Sequence, residues 1–240
     1  MKKPYSDETE QTGLENLEEM SRFTHWMYEQ VQPWLGDHVM EAGAGIGTYS
    51  ALAWEEGKNV TAVELSDNYY DILKKRFDGE ERFESVHGSI TDPKLIEELS
   101  QKGIDTIFSM NVLEHIEEDE LAMKHFYDIL PSGGRTIVLV PAHMFLHNSL
   151  DVALGHVRRY TTKELKKKAE DAGFRVKKVY YWNSLAIAGW YVNGNLMKKD
   201  EVNQGSARLY DKLVPLLRLI EKYFLHGVLG ISAIVVAEKK

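Results

Sequence analysis

The sequence predicts an α/β fold in which helices cover both faces of a mostly parallel sheet. Short apolar runs bounded by turn residues alternate with helix-period segments, the pattern of strands buried on both faces. The first of these runs ends in a turn with glycines at alternate positions. A length of 240 residues, 43% hydrophobic and 28% charged, suits one large core with an appended cap.

Taken in chain order, "LENLEEMSRFTHWMYEQVQ" around residues 14–32 reads as a helical segment that would pack over the active-site edge, and Pro33 to Asp37 forms the turn into the core. Strands are expected at "HVMEA", "NVTAVEL", "RFESVHG", "IDTIFSMN" and "RTIVLVPA", with helices near 49–56, 68–77, 94–101 and 118–130 between them. After Pro141 the rhythm changes to a histidine-rich loop, followed by "TTKELKKKAEDAGF". There Thr161 and Glu164 have capping-box spacing and Gly173 suits the helix C-terminus. "RVKKVYYW" and "GISAIVVAEKK" supply two more strands.

An insertion at about 183–226 separates those two strands. Leu209, Leu213, Leu216, Leu217, Ile220 and Phe224 fall on one helical face, which is expected to pack on the domain core. A lid over an apolar substrate and a membrane-surface helix are the alternatives. The expected division is an N-terminal helical segment (1–36), a cofactor-binding core (37–182), a helical cap (183–226) and a final core strand (227–240).

Composition removes several function classes. Acidic side chains outnumber basic ones 37 to 29, giving a net charge of −8, so no basic face for tracking nucleic-acid phosphates is expected. The absence of cysteine excludes disulfides, thiolate metal sites and cysteine nucleophiles. "MKKPYSDETEQTG" lacks the apolar region of a signal peptide, and no window offers the roughly 18 apolar residues of a spanning helix, so a cytoplasmic protein is expected.

The glycine turn is the richest local signal. Gly43, Gly45 and Gly47 read G-x-G-x-G, and Thr48 stands where a dinucleotide fingerprint has its third glycine. Glu41, two residues upstream, would oppose a pyrophosphate but favour a ligand carrying an ammonium and a sulfonium. Glu64 ends the next strand roughly 20 residues on, where a carboxylate accepts two ribose hydroxyl hydrogen bonds.

In order along the chain, "VMEAGAGIGTYS", "VTAVELS", "VHGSITD" and "FSMNVLEHIEED" resemble the successive motifs of class I S-adenosylmethionine-dependent methyltransferases, over about residues 37–142. The resemblance implies a Rossmann-like, seven-stranded, mostly parallel sheet with an antiparallel last strand, N-terminal helices and a helical cap inserted before that strand. It also implies S-adenosyl-L-methionine as cofactor. Glu41, Gly43, Ala44 and Gly45 would line its methionine end, with Gly47 at the helix entry, Glu64 on the ribose and Leu65 beside the adenine. The family often has an aspartate directly after the glycine of "HGSITD"; here Ser89 takes that place, so the adenine contact passes to the Ser89 hydroxyl or the Ile90 backbone. Asn111, Val112 and Leu113 match the loop beneath the methionine moiety, and His115 sits where that loop turns toward substrate.

The loop after the fifth strand collects His143, His147, Asp151, His156, Arg158, Arg159 and Tyr160. Three readings compete. One histidine is a general base for the acceptor; or His143, His147 and Asp151 bind a metal, with nothing else in the chain completing that site; or the histidines pack and the arginines pair with acids. "GHVRRYTTKEL" resembles a segment forming one wall of the acceptor pocket in small-molecule methyltransferases. The longer run from "PAH" resembles a bacterial subset found beside or fused to glycosyltransferases, implying a sugar- or lipid-linked acceptor. On the base reading, His143 or His156 takes the proton, Asp151 orients it and Tyr160 contacts the acceptor; no metal is assigned.

The expectation is therefore methyl transfer, on oxygen, to a small or lipid-linked acceptor, by a monomer or homodimer without nucleic-acid partners and with room for peripheral membrane contact. The rivals are a non-catalytic nucleotide-binding or regulatory protein, a protein or nitrogen methyltransferase, and a dinucleotide oxidoreductase, the last disfavoured by Thr48 and Glu41.

Overall fold

The computed structural model describes residues 20–199, 204–225 and 227–240. Strands β1 (His38–Ala42), β2 (Asn59–Glu64), β3 (Phe83–His87), β4 (Thr106–Met110), β5 (Arg135–Pro141), β6 (Arg175–Trp182) and β7 (Ser232–Glu238) form one sheet in the order β3-β2-β1-β4-β5-β7-β6. The β1–β2, β1–β4, β2–β3 and β4–β5 pairs are parallel, and β7 runs antiparallel between β5 and β6. The chain builds outward from β1 to β3 and then returns to β4 on the other side. This leaves a topological switch point between β1 and β4, where open α/β sheets bind ligands.

The helices are α1 (Ser21–Tyr28), α2 (Thr48–Glu55), α3 (Asp67–Arg76), α4 (Pro93–Ser100), α5 (Asp119–Ile129), α6 (Ser149–Ala153), α7 (Thr162–Asp171), α8 (Ala186–Trp190) and α9 (Gln204–Ile220). Strand alternation sorts side chains into two cores. Met40 and Ala42 point with Ile107, Val138 and Val235 toward α4, α5 and α7. Val39 points the other way with Phe108, Ile137 and Ile234, toward α1, α2, α3 and α9. Phe126 of α5 is completely buried; its truncation to alanine is worth about 3–5 kcal/mol of stability.

Each sequence-expected strand is present, and the four helices expected between the first five strands lie within a residue of their expected limits. The N-terminal segment differs: its described part is helical only over Ser21–Tyr28, followed by a 3-10 turn at Gln32–Trp34, with Pro33 inside that turn. The expectation for residues 14–19 lies outside the described residues. α1 packs through Trp26, which meets Trp182 edge-on at 4.8 Å, and both rings are core.

The expected face of the inserted helix is corrected. α9 turns Ala207 and Val214 inward, with Tyr210 and Leu217 packed beside them, while Leu209, Leu213 and Leu216 are exposed. The inner face is displaced because two acids on it serve as backbone acceptors: Asp211 takes the Phe23 N–H, and Glu221 takes the N–H groups of Asn183 and Ser184. Leaving such buried groups unpaired would cost about 1–3 kcal/mol each, enough to set the helix's rotation. The side chain of Phe224 lies outside the described residues.

The carboxyl ends of β4, β5 and β6 are each followed closely by a non-glycine residue in the left-handed region: Asn111 (φ 55°), His143 (φ 63°) and Asn183 (φ 65°). Such conformations persist only where surrounding structure enforces them, and they gather at functional sites. Here they mark a single edge of the sheet.

Candidate active site

At the carboxyl end of β1, the turn into α2 needs bare backbone for a definable reason. Gly43 has φ 76°, and a Cβ on it would stand 2.5 Å from Val112 Cγ2. The β1 turn and the β4 loop, with Asn111, Val112 and the buried Leu113, therefore touch at the switch point. Gly47 (φ 83°) is the residue from which α2 starts, and Gly45 donates its N–H to Glu64 Oε2 at 2.7 Å. The other Glu64 oxygen accepts the Ser66 N–H at 2.7 Å. One carboxylate thus fixes both turns, and Leu65 beside it is 65% exposed. Glu41 lies buried beneath the turn, with the Ser50 hydroxyl donating to it. Burial pushes its carboxyl up to about 8, against the Ser50 hydrogen bond. Ala44 is buried in the same turn. The Ser89 hydroxyl is shared with Thr91, and the Ile90 carbonyl meets His125 Nδ1 at 2.9 Å.

On the other side of that contact, the loop after β5 is built around Asp151. Asn148 caps α6 through a capping box, so Asp151 Oδ2 accepts the Asn148 N–H at 3.0 Å. Asp151 Oδ1 takes His156 Nδ1 at 2.8 Å and Arg159 Nε at 2.7 Å. Trp190 Nε1, from the insertion, reaches Oδ2 at 3.3 Å, and its ring lies 4.9 Å from the Arg159 guanidinium. Burial alone would raise the Asp151 carboxyl, but these donors and the Arg159 charge win and hold it at about 2.

An ionised Asp151 assigns the proton between the pair to His156 Nδ1, leaving Nε2 as the acceptor nitrogen. Burial also pulls the His156 pKa below its ordinary value, against the opposing pull of Asp151. The free nitrogen faces Glu114 Oε1 at 3.8 Å. Glu114 is fully buried, neither of its oxygens has a hydrogen-bond partner, and burial raises it to about 8.

The structure brings His156 and Asp151 together but not the other two candidates. His143 stacks on Tyr181 at 4.4 Å, with Nε2 buried and unpartnered, and burial lowers its pKa. Tyr160 is 2% exposed, and its hydroxyl donates to Asp119 Oδ2 at 2.7 Å with the Leu113 carbonyl 3.1 Å away, an anchoring position under the loop. His147 Nε2 meets the His156 carbonyl, so the His143–His147–Asp151 trio is not assembled as a metal site. Among the described residues, the groups close enough to share a cation are Glu114, His115 and His156, with ligand atoms within 4.8 Å of one another.

Two neighbours of this cluster, Glu114 and Trp190, are not placed by the sequence. Glu114 could cap the next helix or belong to the loop beneath the cofactor on its sequence position alone; its carboxylate oxygens are buried and without a hydrogen-bond partner. Arg159, expected to pair with an acid, does so from a buried position and holds Asp151. Trp190 lies nearly forty positions from Asp151, and no local pattern announces it.

A family model described as "Methyltransferase domain" matches residues 6–179. Demethylmenaquinone methyltransferase from Clavibacter sepedonicus is 26% identical over 108 residues, 45% of this chain and 42% of that protein. Phosphoethanolamine N-methyltransferase 2 from Caenorhabditis elegans is 31% identical over 104 residues, 43% of this chain and 23% of that protein. These matches span less than half the length of either relative. Among solved structures, a SAM-dependent methyltransferase from Thermotoga maritima has the same fold, with a TM-score of 0.60 and 18% identity over 93% of this chain and 91% of that one.

Proposed function

Because the chain belongs to the methyltransferase-domain family, we propose that it transfers the methyl group of S-adenosylmethionine to a hydroxyl oxygen of a small or lipid-linked acceptor. Residues 37–182 with 227–240 act as the cofactor-binding core, 1–36 as an N-terminal segment and 183–226 as a cap. The residues present fit the cofactor. Gly43 lets the β1 turn close against Val112 of the β4 loop, the Glu64 carboxylate stands at that turn with lone pairs for a ribose diol, and exposed Leu65 offers an apolar surface beside it. Glu41, Ala44, Gly45, Gly47, Asn111, Leu113, Ser89 and Ile90 complete the proposed binding set.

When bound, the cofactor supplies an electrophilic methyl on a sulfonium. The chain's own part is to align the acceptor and take its proton. Alignment lowers a bimolecular barrier by about 7–11 kcal/mol. An amine attacks with its own lone pair, whereas a hydroxyl needs its proton removed, and a neutral imidazole with a carboxylate behind it is built for that. His156 Nε2 takes the proton, Asp151 holds the ring and balances the imidazolium, and Arg159 and Trp190 hold Asp151. Among the described residues, no helix is long and apolar enough to cross a membrane.

The observation that carries the reading is the 2.8 Å His156–Asp151 pair beside Glu114, two residues from the Val112–Gly43 contact. The test is transfer from methyl-labelled cofactor to phenolic, sugar and polyprenyl-linked acceptors, with wild type, His156→Ala and Asp151→Asn. Labelled oxygen and a loss of about 10²–10⁴-fold in turnover for both variants, at unchanged S-adenosylhomocysteine affinity, support it. Labelled nitrogen, or full turnover without His156, contradicts it. The unpartnered Glu114 oxygens favour a second reading, a divalent cation on Glu114, His115 and His156 that polarises the acceptor oxygen. Turnover abolished by chelator and restored by one cation selects it.

A further inference from the structure

The insertion between β6 and β7 carries its apolar residues on the outside. Leu209, Leu213 and Leu216 of α9 stand 60%, 42% and 55% exposed, on a stripe opposite the buried Ala207 and Val214. Tyr223, in the π-helical turn that extends α9, continues the stripe. Monomeric proteins seldom leave so long an apolar stripe to water.

The charges on the same helix are sorted. Asp211 accepts the Phe23 N–H at 2.9 Å, and Glu221 accepts those of Asn183 and Ser184 at 3.0 Å each, so both acids face the protein. Lys212 and Lys222 lie on exposed positions adjoining the apolar stripe. In a chain of net charge −8 this is a local reversal of sign. A second copy would bring the same positive residues to the contact, whereas an anionic surface with an apolar interior matches both features.

We propose that this face docks on a membrane surface rich in anionic phospholipid. The leucines enter the boundary between headgroups and acyl chains, and the long basic side chains reach the phosphates. The same insertion reaches the acceptor-side loop, through Trp190 to Asp151 at 3.3 Å and Asn195 to Asn148 at 2.8 Å. Docking would bring to the lipid the insertion whose first half holds Asp151, which deepens the lipid-linked acceptor reading and rests on it for the acceptor's route alone.

The test is co-sedimentation of the full chain with vesicles of phosphatidylglycerol and phosphatidylcholine in equal parts, against phosphatidylcholine alone. The expected result is binding to the anionic vesicles only, weakening as salt is raised. Leu213→Ser with Leu216→Ser should weaken it by about tenfold or more, and Lys212→Gln with Lys222→Gln by about 30-fold. Both variants should keep the wild-type thermal transition and S-adenosylhomocysteine affinity, which separates lost docking from lost folding. Equal binding to neutral vesicles, no binding, or a dimer in sedimentation velocity that the leucine pair dissociates would overturn the proposal. Turnover of a water-soluble acceptor by a chain that ignores vesicles would sink docking and leave methyl transfer standing; vesicle binding without cofactor binding would do the reverse.

Discussion

Glu114→Gln should change how stability depends on pH, and the size and sign follow from burial. Glu114 is 0% exposed with neither oxygen hydrogen-bonded, and its carboxyl rises from 4.5 to about 8. Between those values the unfolded chain has released the proton and the folded chain still holds it, so unfolding is favoured as pH rises. At about 1.4 kcal/mol per unit, the penalty is capped near 5 kcal/mol, reached above about pH 8. The glutamine variant carries a constant cost for its amide but no titration. Relative to wild type it should therefore gain about 3 kcal/mol between about pH 5 and pH 8. Buried Glu41 contributes a similar slope in both proteins and cancels in the difference. Urea unfolding followed by tryptophan fluorescence across that range measures it. A difference that does not change with pH would refute the reasoning and mean that Glu114 is ionised in the folded chain, with a cation or water supplying its missing partner.

Other consequences follow from the same geometry. His156 has its pKa pulled below 6.5 by burial, so turnover should rise with pH through a midpoint below 6.5 and then level off; a flat profile there removes it as base. Gly43→Ala places a methyl 2.5 Å from Val112 Cγ2 at φ 76°, and should cost about 1–3 kcal/mol in thermal unfolding. Adding Val112→Ala should recover the steric part and leave the backbone strain; no recovery would mean that the two turns do not meet there.

The strands and the glycine turn were legible in the sequence because they are local: apolar runs between turn residues, glycines followed by a helix, a carboxylate closing the second strand. Glu64 and Gly45 meet as a direct result of parallel β1–β2 pairing, which the motif order implies. The α9 face was misread because periodicity counts apolar residues, whereas Asp211 and Glu221 turn inward to accept backbone N–H groups from distant segments. Tyr160 was legible as part of the loop but not as its anchor, since Asp119 and the Leu113 carbonyl reach it from another crossover. The Asp151 cluster joins the loop after β5 to Trp190 of the insertion, a tertiary pairing that spacing does not encode.

Whether the β1 turn with Glu64 holds S-adenosylmethionine is answered by calorimetric titration of the folded protein with S-adenosylhomocysteine and, separately, NAD. Tight binding of the first and none of the second is expected. Two ribose hydrogen bonds to a charged acceptor are worth about 3–6 kcal/mol, so Glu64→Ala should weaken that binding by about 10²–10⁴-fold. Binding that survives Glu64→Ala, or no binding of either ligand by the folded wild type, would contradict it.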